Sequence, residues 1–206
     1  MSPKVTRTRQ EKALETKSAI YQSAERLFKK YGFEAVNVED IVKEAKVSKG
    51  SFYVHYPSKD ALIALFIKDY VVRVDENYKK HITTLPKDMT TSEVLLSLVG
   101  KIAEVIEEDL GRHNMKTLYR IQLTDASPSA ALAYGRELYQ LFHGLIEKGL
   151  TEKTLHSDLS PEETAKHFVM GYRGLVYEWC VREDTFSLKE EALKHYQMLL
   201  YGLTSP

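Results

Sequence analysis

Ser48-Lys49-Gly50-Ser51 is the tetrapeptide whose residue types say most about chemistry. Two hydroxyls and an ammonium sit together on small residues, so nothing blocks close approach to another surface. Ser48 is suited to cap a short helix, because its hydroxyl can accept from backbone N–H groups in the first turn. Gly50 would then lie inside that helix, where glycine costs about 1 kcal/mol against alanine. Close contact with a sugar-phosphate backbone or with a packing helix would justify it. Tyr53, His55 and Lys59 follow, adding a phenol, an imidazole and a second ammonium. Such groups suit phosphate oxygens, and Lys59 opens a helix whose backbone N–H groups favour an anion as well.

The elements that must position these groups have the helical period. Ile20, Ala24, Leu27, Phe28 and Tyr31 form one apolar stripe, and Gly32 closes that helix. Asn37 is placed to cap a short helix whose Val38, Ile41, Val42 and Ala45 face inward. The turn Ala45-Lys46-Val47-Ser48 leads into the second short helix, which ends near Tyr56-Pro57, with Phe52 packing on the first helix. Ser58 then caps a long helix carrying Leu62, Leu65, Phe66 and Tyr70. A helix of about 15 residues and two short ones joined by such a turn is a helix-turn-helix by spacing, which presents its second short helix to the DNA major groove.

Thr16-Lys17-Ser18-Ala19-Ile20, Ala24-Glu25-Arg26-Leu27-Phe28, Gly32, Asn37-Val38-Glu39-Asp40-Ile41 and the run from Val47 to Leu62 resemble the DNA-binding domain of TetR/AcrR-type transcriptional regulators. The resemblance covers about the first third of the chain, and its most specific element is Tyr53-Val54-His55-Tyr56-Pro57-Ser58-Lys59. It implies base contacts from Lys49 and Ser51, with Gly50 between them. It further implies phosphate contacts from Lys17, Asn37, Tyr53, His55 and Lys59. The chain departs from the family at Lys46, where glycine is usual; a positive φ there would cost about 1 kcal/mol. Lys4, Arg7, Arg9 and Lys12 form a basic arm able to add phosphate or minor-groove contacts.

Beyond this segment, Thr90-x-x-Glu93 begins a helix running to Leu110 and Gly111, and Met115 to Leu123 forms another. Ser127-Pro128 reads as the start of a helix ending at Lys148-Gly149. Ser160-Pro161-Glu162-Glu163 is the strongest start signal, and Ser187-x-x-Glu190 opens the last helix. The reading is all-α: nine helices, a helix-turn-helix domain over 1–59 and a helical ligand-sensing and dimerisation domain over 60–206. Charge divides the same way, since residues 1–59 hold 12 Lys/Arg against 7 Asp/Glu and the remainder 17 against 22. That asymmetry suits a nucleic-acid module joined to something else.

Composition narrows the class further. A chain of 206 residues with 43% hydrophobic side chains can bury a core. No apolar run approaches the roughly 20 residues of a membrane span. The basic start lacks a signal peptide's apolar stretch, and a single cysteine, Cys180, fits a reducing compartment, so the expectation is a cytoplasmic protein.

Readers of one short helix contact too few base pairs alone, so a homodimer on a palindromic operator in double-stranded DNA is expected. The last two helices are the candidate interface, through Phe168, Gly171, Leu175 and Trp179 on one and Ala192, Tyr196 and Leu199 on the other. The resemblance likewise implies a four-helix bundle there. Polar groups on apolar central faces suggest a small-molecule effector site, with Tyr70, Tyr78, Tyr119, Arg120, Tyr139, His143, Tyr172 and Arg173 as contacts for a hydrophobic or aromatic ligand. By resemblance, such a ligand would pivot the helix starting at Lys59, separate the recognition helices and relieve repression.

An enzyme is the remote alternative. No phosphate loop, nucleophile elbow or Glu-x-x-His spacing occurs, and Cys180 lies among apolar residues, so no catalytic residue, metal or cofactor is expected. A protein of the same fold answering to a protein partner or to DNA occupancy is the nearer alternative. A ligand screen by thermal shift would separate it from a sensor.

Overall fold

The computed structural model describes residues 8–124, 135–182 and 186–204. Among these the chain forms nine α-helices and no strand. It divides into two compact units, Met1–Ile67 and Lys68–Pro206.

The first unit holds α1 (Arg9–Ala35), α2 (Val38–Ala45), α3 (Lys49–His55) and the opening turns of α4 (Lys59–Thr84). α1 starts well before its apolar stripe. Thr8 and Glu11 form a reciprocal capping box, with Thr8 N–H donating to the Glu11 carboxylate at 2.7 Å and Glu11 N–H to the Thr8 hydroxyl at 3.2 Å. These added turns are exposed, Leu14 included, so hydrophobic periodicity did not reveal them. Arg9 and Lys12 of the basic arm are helical, while Lys4 and Arg7 lie outside the described residues.

Gly32 breaks α1 at φ 81°, a value glycine tolerates without steric cost. The break turns Phe33 inward, where it meets Phe28 at 5.1 Å and Phe66 at 5.8 Å between ring centroids, both edge-on. Tyr31, expected on the buried stripe, is instead exposed with the Lys30 ammonium over its ring. Phe33 fills that part of the core. Ile20, Ala24, Ile41, Phe52, Leu62 and Ile63 complete it.

In the second unit, α4 continues and is followed by α5 (Thr91–Val105), a π-helical turn (Ile106–Leu110), α6 (Gly111–Thr124), α7 (Glu137–Thr151), α8 (Pro161–Val181) and α9 (Leu188–Thr204). α5 packs on α9 and α7, and α8 on α7, α9 and α6. Leu95, Leu98, Val99, Ile102 and Ala103 give α5 a fully buried face. The expected boxes at Thr90–Glu93 and Ser160–Glu163 are both closed in both directions. The expected helix to Leu110 widens into the π turn, then stops at Gly111 with φ 75°. Glu107 of that turn accepts the Leu188 N–H at 2.6 Å, so α5's extension caps α9. Ser187 adds a longer contact, accepting from the Glu190 N–H at 3.4 Å.

α7 departs from the sequence reading. It begins at Glu137, with Arg136 in extended backbone as its N-cap, whereas Ser127-Pro128 lies outside the described residues. Arg136 is turned onto the buried Asp75 carboxylate of α4, with Nε at 2.9 Å and 3.0 Å from its two oxygens and a terminal nitrogen at 2.6 Å. That charge pair fixes where the helix starts. No helix among the described residues is long and apolar enough to cross a membrane.

Gly149 of α7 is buried, and a Cβ there would stand 2.5 Å from Leu155 Cδ1 and 3.1 Å from Thr91 Cγ2. Leu155 is itself buried and cannot withdraw. Gly149→Ala is therefore expected to destabilise by about 1–3 kcal/mol through overpacking, despite alanine's better helix propensity. Urea denaturation reads this directly, and an unchanged or higher midpoint would contradict the packing argument.

Candidate functional site

The turn before α3 is a Schellman motif. Lys46 adopts φ 54°, ψ 43°; its N–H donates to Lys43 O at 3.3 Å, and Val47 N–H donates to Val42 O at 3.0 Å. Lysine thus occupies the left-handed position that the sequence flagged, at a cost of about 1 kcal/mol. Asn37 caps α2 as expected: its side-chain oxygen accepts the Asp40 N–H at 2.9 Å, and Asp40 returns the bond to the Asn37 N–H at 2.9 Å. That cap leaves the amide NH2 of Asn37 uncommitted to the helix. Ser48 caps α3, accepting the Ser51 N–H at 3.1 Å.

α3 has two unlike faces. Phe52 and Tyr56 are buried, and the Tyr56 hydroxyl donates to Lys17 O at 3.2 Å, tying α3 to α1. Lys49, Gly50, Tyr53 and Val54 are exposed along the opposite side. Ser51 and His55 are half-buried, and the Ser51 hydroxyl already pairs with that of Ser48 at 2.9 Å. Val54, 80% exposed, is a member of this face that the sequence reading did not single out. Its signal was available, since Lys49, Gly50, Tyr53 and Val54 share one side of a helical wheel. A methyl-bearing side chain there is suited to a thymine methyl group.

Lys59, expected at phosphates, is tied to the end of α1. Its ammonium donates to Phe33 O and Val36 O, each at 3.0 Å, satisfying carbonyls at the end of α1. Lys17 remains exposed on α1. Lys49 is paired with the Glu39 carboxylate of α2, which lowers the Glu39 carboxyl below and raises the Lys49 ammonium above their ordinary ranges.

In the second unit, the expected effector contacts scatter. Arg120 is exposed, so it does not line an interior. The Tyr119 hydroxyl donates to Arg173 O at 3.2 Å and the Tyr139 hydroxyl to Glu162 O at 3.0 Å, so both tie their helices to α8. His143 lies beside Tyr139, and Arg173 is half-buried. Burial pushes the hydroxyls of Tyr70, Tyr78, Tyr119 and Tyr172 above the usual phenol range, so they stay neutral. The Tyr172 hydroxyl is buried and finds no hydrogen-bond partner among the described residues. Asp75 and Arg136 were missed by the sequence reading. Asp75 stands on the buried stripe of Val71, Val74 and Tyr78, and a carboxylate at such a position was the available signal. Burial also pushes the Cys180 thiol up to about 11, which leaves it unreactive.

The expected dimer contacts need correction. Phe168, Trp179, Ala192 and Tyr196 are buried within their own subunit, where the rings of Phe168 and Tyr196 pack 5.3 Å apart. The stripe read as an interface faces the chain's own core. Gly171 and Leu175 are half-buried, and Leu199 is exposed.

Residues 20–65 match the family model described as bacterial regulatory proteins, tetR family. The segment that carries α2 and α3 is thus similar to the helix-turn-helix part of that family. The chain is 22% identical to the HTH-type transcriptional repressor KstR2 of Rhodococcus jostii over 92% of each chain. It is 29% identical to the uncharacterized regulator YfiR of Bacillus subtilis, covering 85% of this chain and 84% of that one. It is 30% identical to YuxN of the same bacterium over 61% of this chain, but spans only 39% of that relative's length. Among solved structures, Thermus thermophilus FadR, a repressor in complex with lauroyl-CoA, aligns with a TM-score of 0.67 at 22% identity over 90% of this chain and 93% of its own. A regulator from Pectobacterium atrosepticum aligns at 0.71 and 19% identity, covering 97% and 99%. These likenesses show that the fold is shared.

Gly50 now has a narrower explanation. A Cβ there would meet nothing closer than Ser48 Oγ at 3.8 Å, so packing within the unit does not demand glycine. Close approach of a surface from outside the molecule would. Gly50→Ala is expected to stabilise the fold by about 0.5–1 kcal/mol while weakening duplex binding. Thermal melts and fluorescence anisotropy on labelled duplex check the two halves, and unchanged duplex affinity would remove the argument for close approach at this residue.

Proposed function

We propose that the chain is a sequence-specific DNA-binding transcriptional regulator, a homodimeric repressor released from its operator by a small hydrophobic or aromatic ligand. The observation that carries the DNA half is the exposed face of α3, with a helical glycine that its own unit does not require. Lys49 and Ser51 would address base edges, and Tyr53, His55, Lys17 and Asn37 the phosphates. Lys59 acts as a positioning residue, holding the α1 end against the start of α4. The relatives named above are transcriptional regulators, which favours this reading over an enzyme.

Dimerisation fits a surface one step around the helices from the buried stripe. Met170, Gly174, Tyr177 and Val181 are exposed along α8, and Met198, Leu199, Tyr201 and Gly202 along α9. A Cβ at Gly174 or Gly202 would meet nothing within 4 Å, so a second copy could approach closely at both. Large apolar side chains in such number on adjacent helices mark an interaction surface. Met198→Glu is expected to shift the protein from twice the chain mass of 23.6 kDa to one chain mass in sedimentation equilibrium. A variant that stays dimeric would place the interface elsewhere.

The effector half is supported by Tyr172. A buried hydroxyl with no acceptor is costly, by about 1–3 kcal/mol, and a ligand oxygen would satisfy it. Because the phenols are neutral and Asp75 is already matched by Arg136, the interior suits an uncharged ligand with an acceptor oxygen. Tyr172→Phe is expected to raise the melting temperature of the free protein by about 2–4 °C for each kcal/mol recovered. The same change should blunt stabilisation by neutral phenols and alcohols. Both are read by thermal shift, and a lowered melting temperature would show that the hydroxyl serves the fold instead.

A further inference from the structure

Glu39 stands where the proposed function has no place for it. It lies in the first turn of α2, exposed, and its carboxylate accepts a hydrogen bond from the ammonium of Lys49, the first residue of α3. The duplex-facing groups around it, Lys17, Asn37, Lys49 and Tyr53, are basic or uncharged. A carboxylate among them repels phosphates and lowers affinity for duplex of any sequence. The cap of α2 does not require it, because Asp40 closes the box with Asn37. An acid near a helix N-terminus does gain a little from the helix dipole. Any acid in that turn would supply as much, and Asp40 is already there.

We propose that Glu39 is a specificity-determining residue which, together with Lys49, reads a G·C pair. This rests on the DNA-binding reading of α3. In the major groove guanine presents the acceptors O6 and N7, and cytosine beside it presents the N4 amino donor. O6 and N4 of a Watson–Crick pair are hydrogen-bonded, about 3 Å apart like any N–H···O pair. An ammonium and a carboxylate in mutual contact offer a donor and an acceptor side by side, able to relax to that spacing. Lys49 Nζ would donate to guanine O6 or N7 while a Glu39 oxygen accepts from cytosine N4. Facing phosphates instead, Lys49 would have to leave Glu39 with nothing to replace it. The pair therefore penalises unspecific contact and rewards one base pair.

The test is a selection from randomised duplexes with the full-length protein, its Glu39→Gln variant and Lys49→Ala, followed by anisotropy titrations against salt. The selected sequences should carry G·C at one position of each half-site. Glu39→Gln should lose about tenfold of the discrimination there. It should also bind scrambled duplex several-fold more tightly at low salt. Lys49→Ala should lose the same position's preference without that gain. The inference is overturned if wild type and Glu39→Gln select the same sequences and bind scrambled duplex equally. A wild-type protein that binds no duplex at low salt overturns the DNA-binding reading itself, a result distinct from the first. Glutamine keeps the shape of an exposed side chain, so folding does not confound the comparison, and matching circular dichroism spectra verify this.

Discussion

A seven-residue helix cannot hold itself together in water, since isolated helices become marginal below about 12–15 residues. α3 exists because Phe52 and Tyr56 are buried on one side of it and Ser48 supplies its missing acceptor. This constraint organises the first unit. The groups that bury α3 lie on its inner side, which leaves Lys49, Gly50, Tyr53 and Val54 facing outward, with Lys49 in an exposed pair with Glu39. The outer face is thereby open to selection for contact with something else.

The same division of labour explains Lys59. A cation at that position was expected at phosphates, yet two carbonyls at the close of α1 take its ammonium. Where α1 closes at Ala35, its last carbonyls lack intrahelical donors. Lys59 supplies those donors from the next long helix and so fixes the turn that delivers Asn37 and α2.

The second unit is held by polar contacts of another kind. The Asp75–Arg136 pair is a buried charge matched by a buried charge, which specifies an arrangement even where it adds little net stability. Glu107 reaches from the π turn to the start of α9, and tyrosine hydroxyls tie α6 and α7 to α8. Against that pattern, the buried Tyr172 hydroxyl finds no partner among the described residues. Both the proposed effector site and the proposed dimer surface follow from asking which groups the fold leaves unused.

Local chemistry was legible in the residues themselves. Asn37, Ser48, Thr90 and Ser160 announce helix starts because a cap is a bond between neighbours three positions apart, and the order of elements in the first unit followed from them. The exposed residues of α3 were legible for the same reason: α3 is one short segment, and its two faces alternate within it. Partnerships between distant positions were not. Arg136 finds Asp75 across 61 residues and Lys59 finds Phe33 across 26, and no spacing rule encodes either. Nor could periodicity say which apolar stripe of α8 and α9 meets the chain's own core and which stays exposed, because both repeat at 3.6 residues. Burial is a property of the packed whole, so tertiary structure alone decided that Phe168, Trp179 and Tyr196 face inward while Met198 and Tyr201 face out.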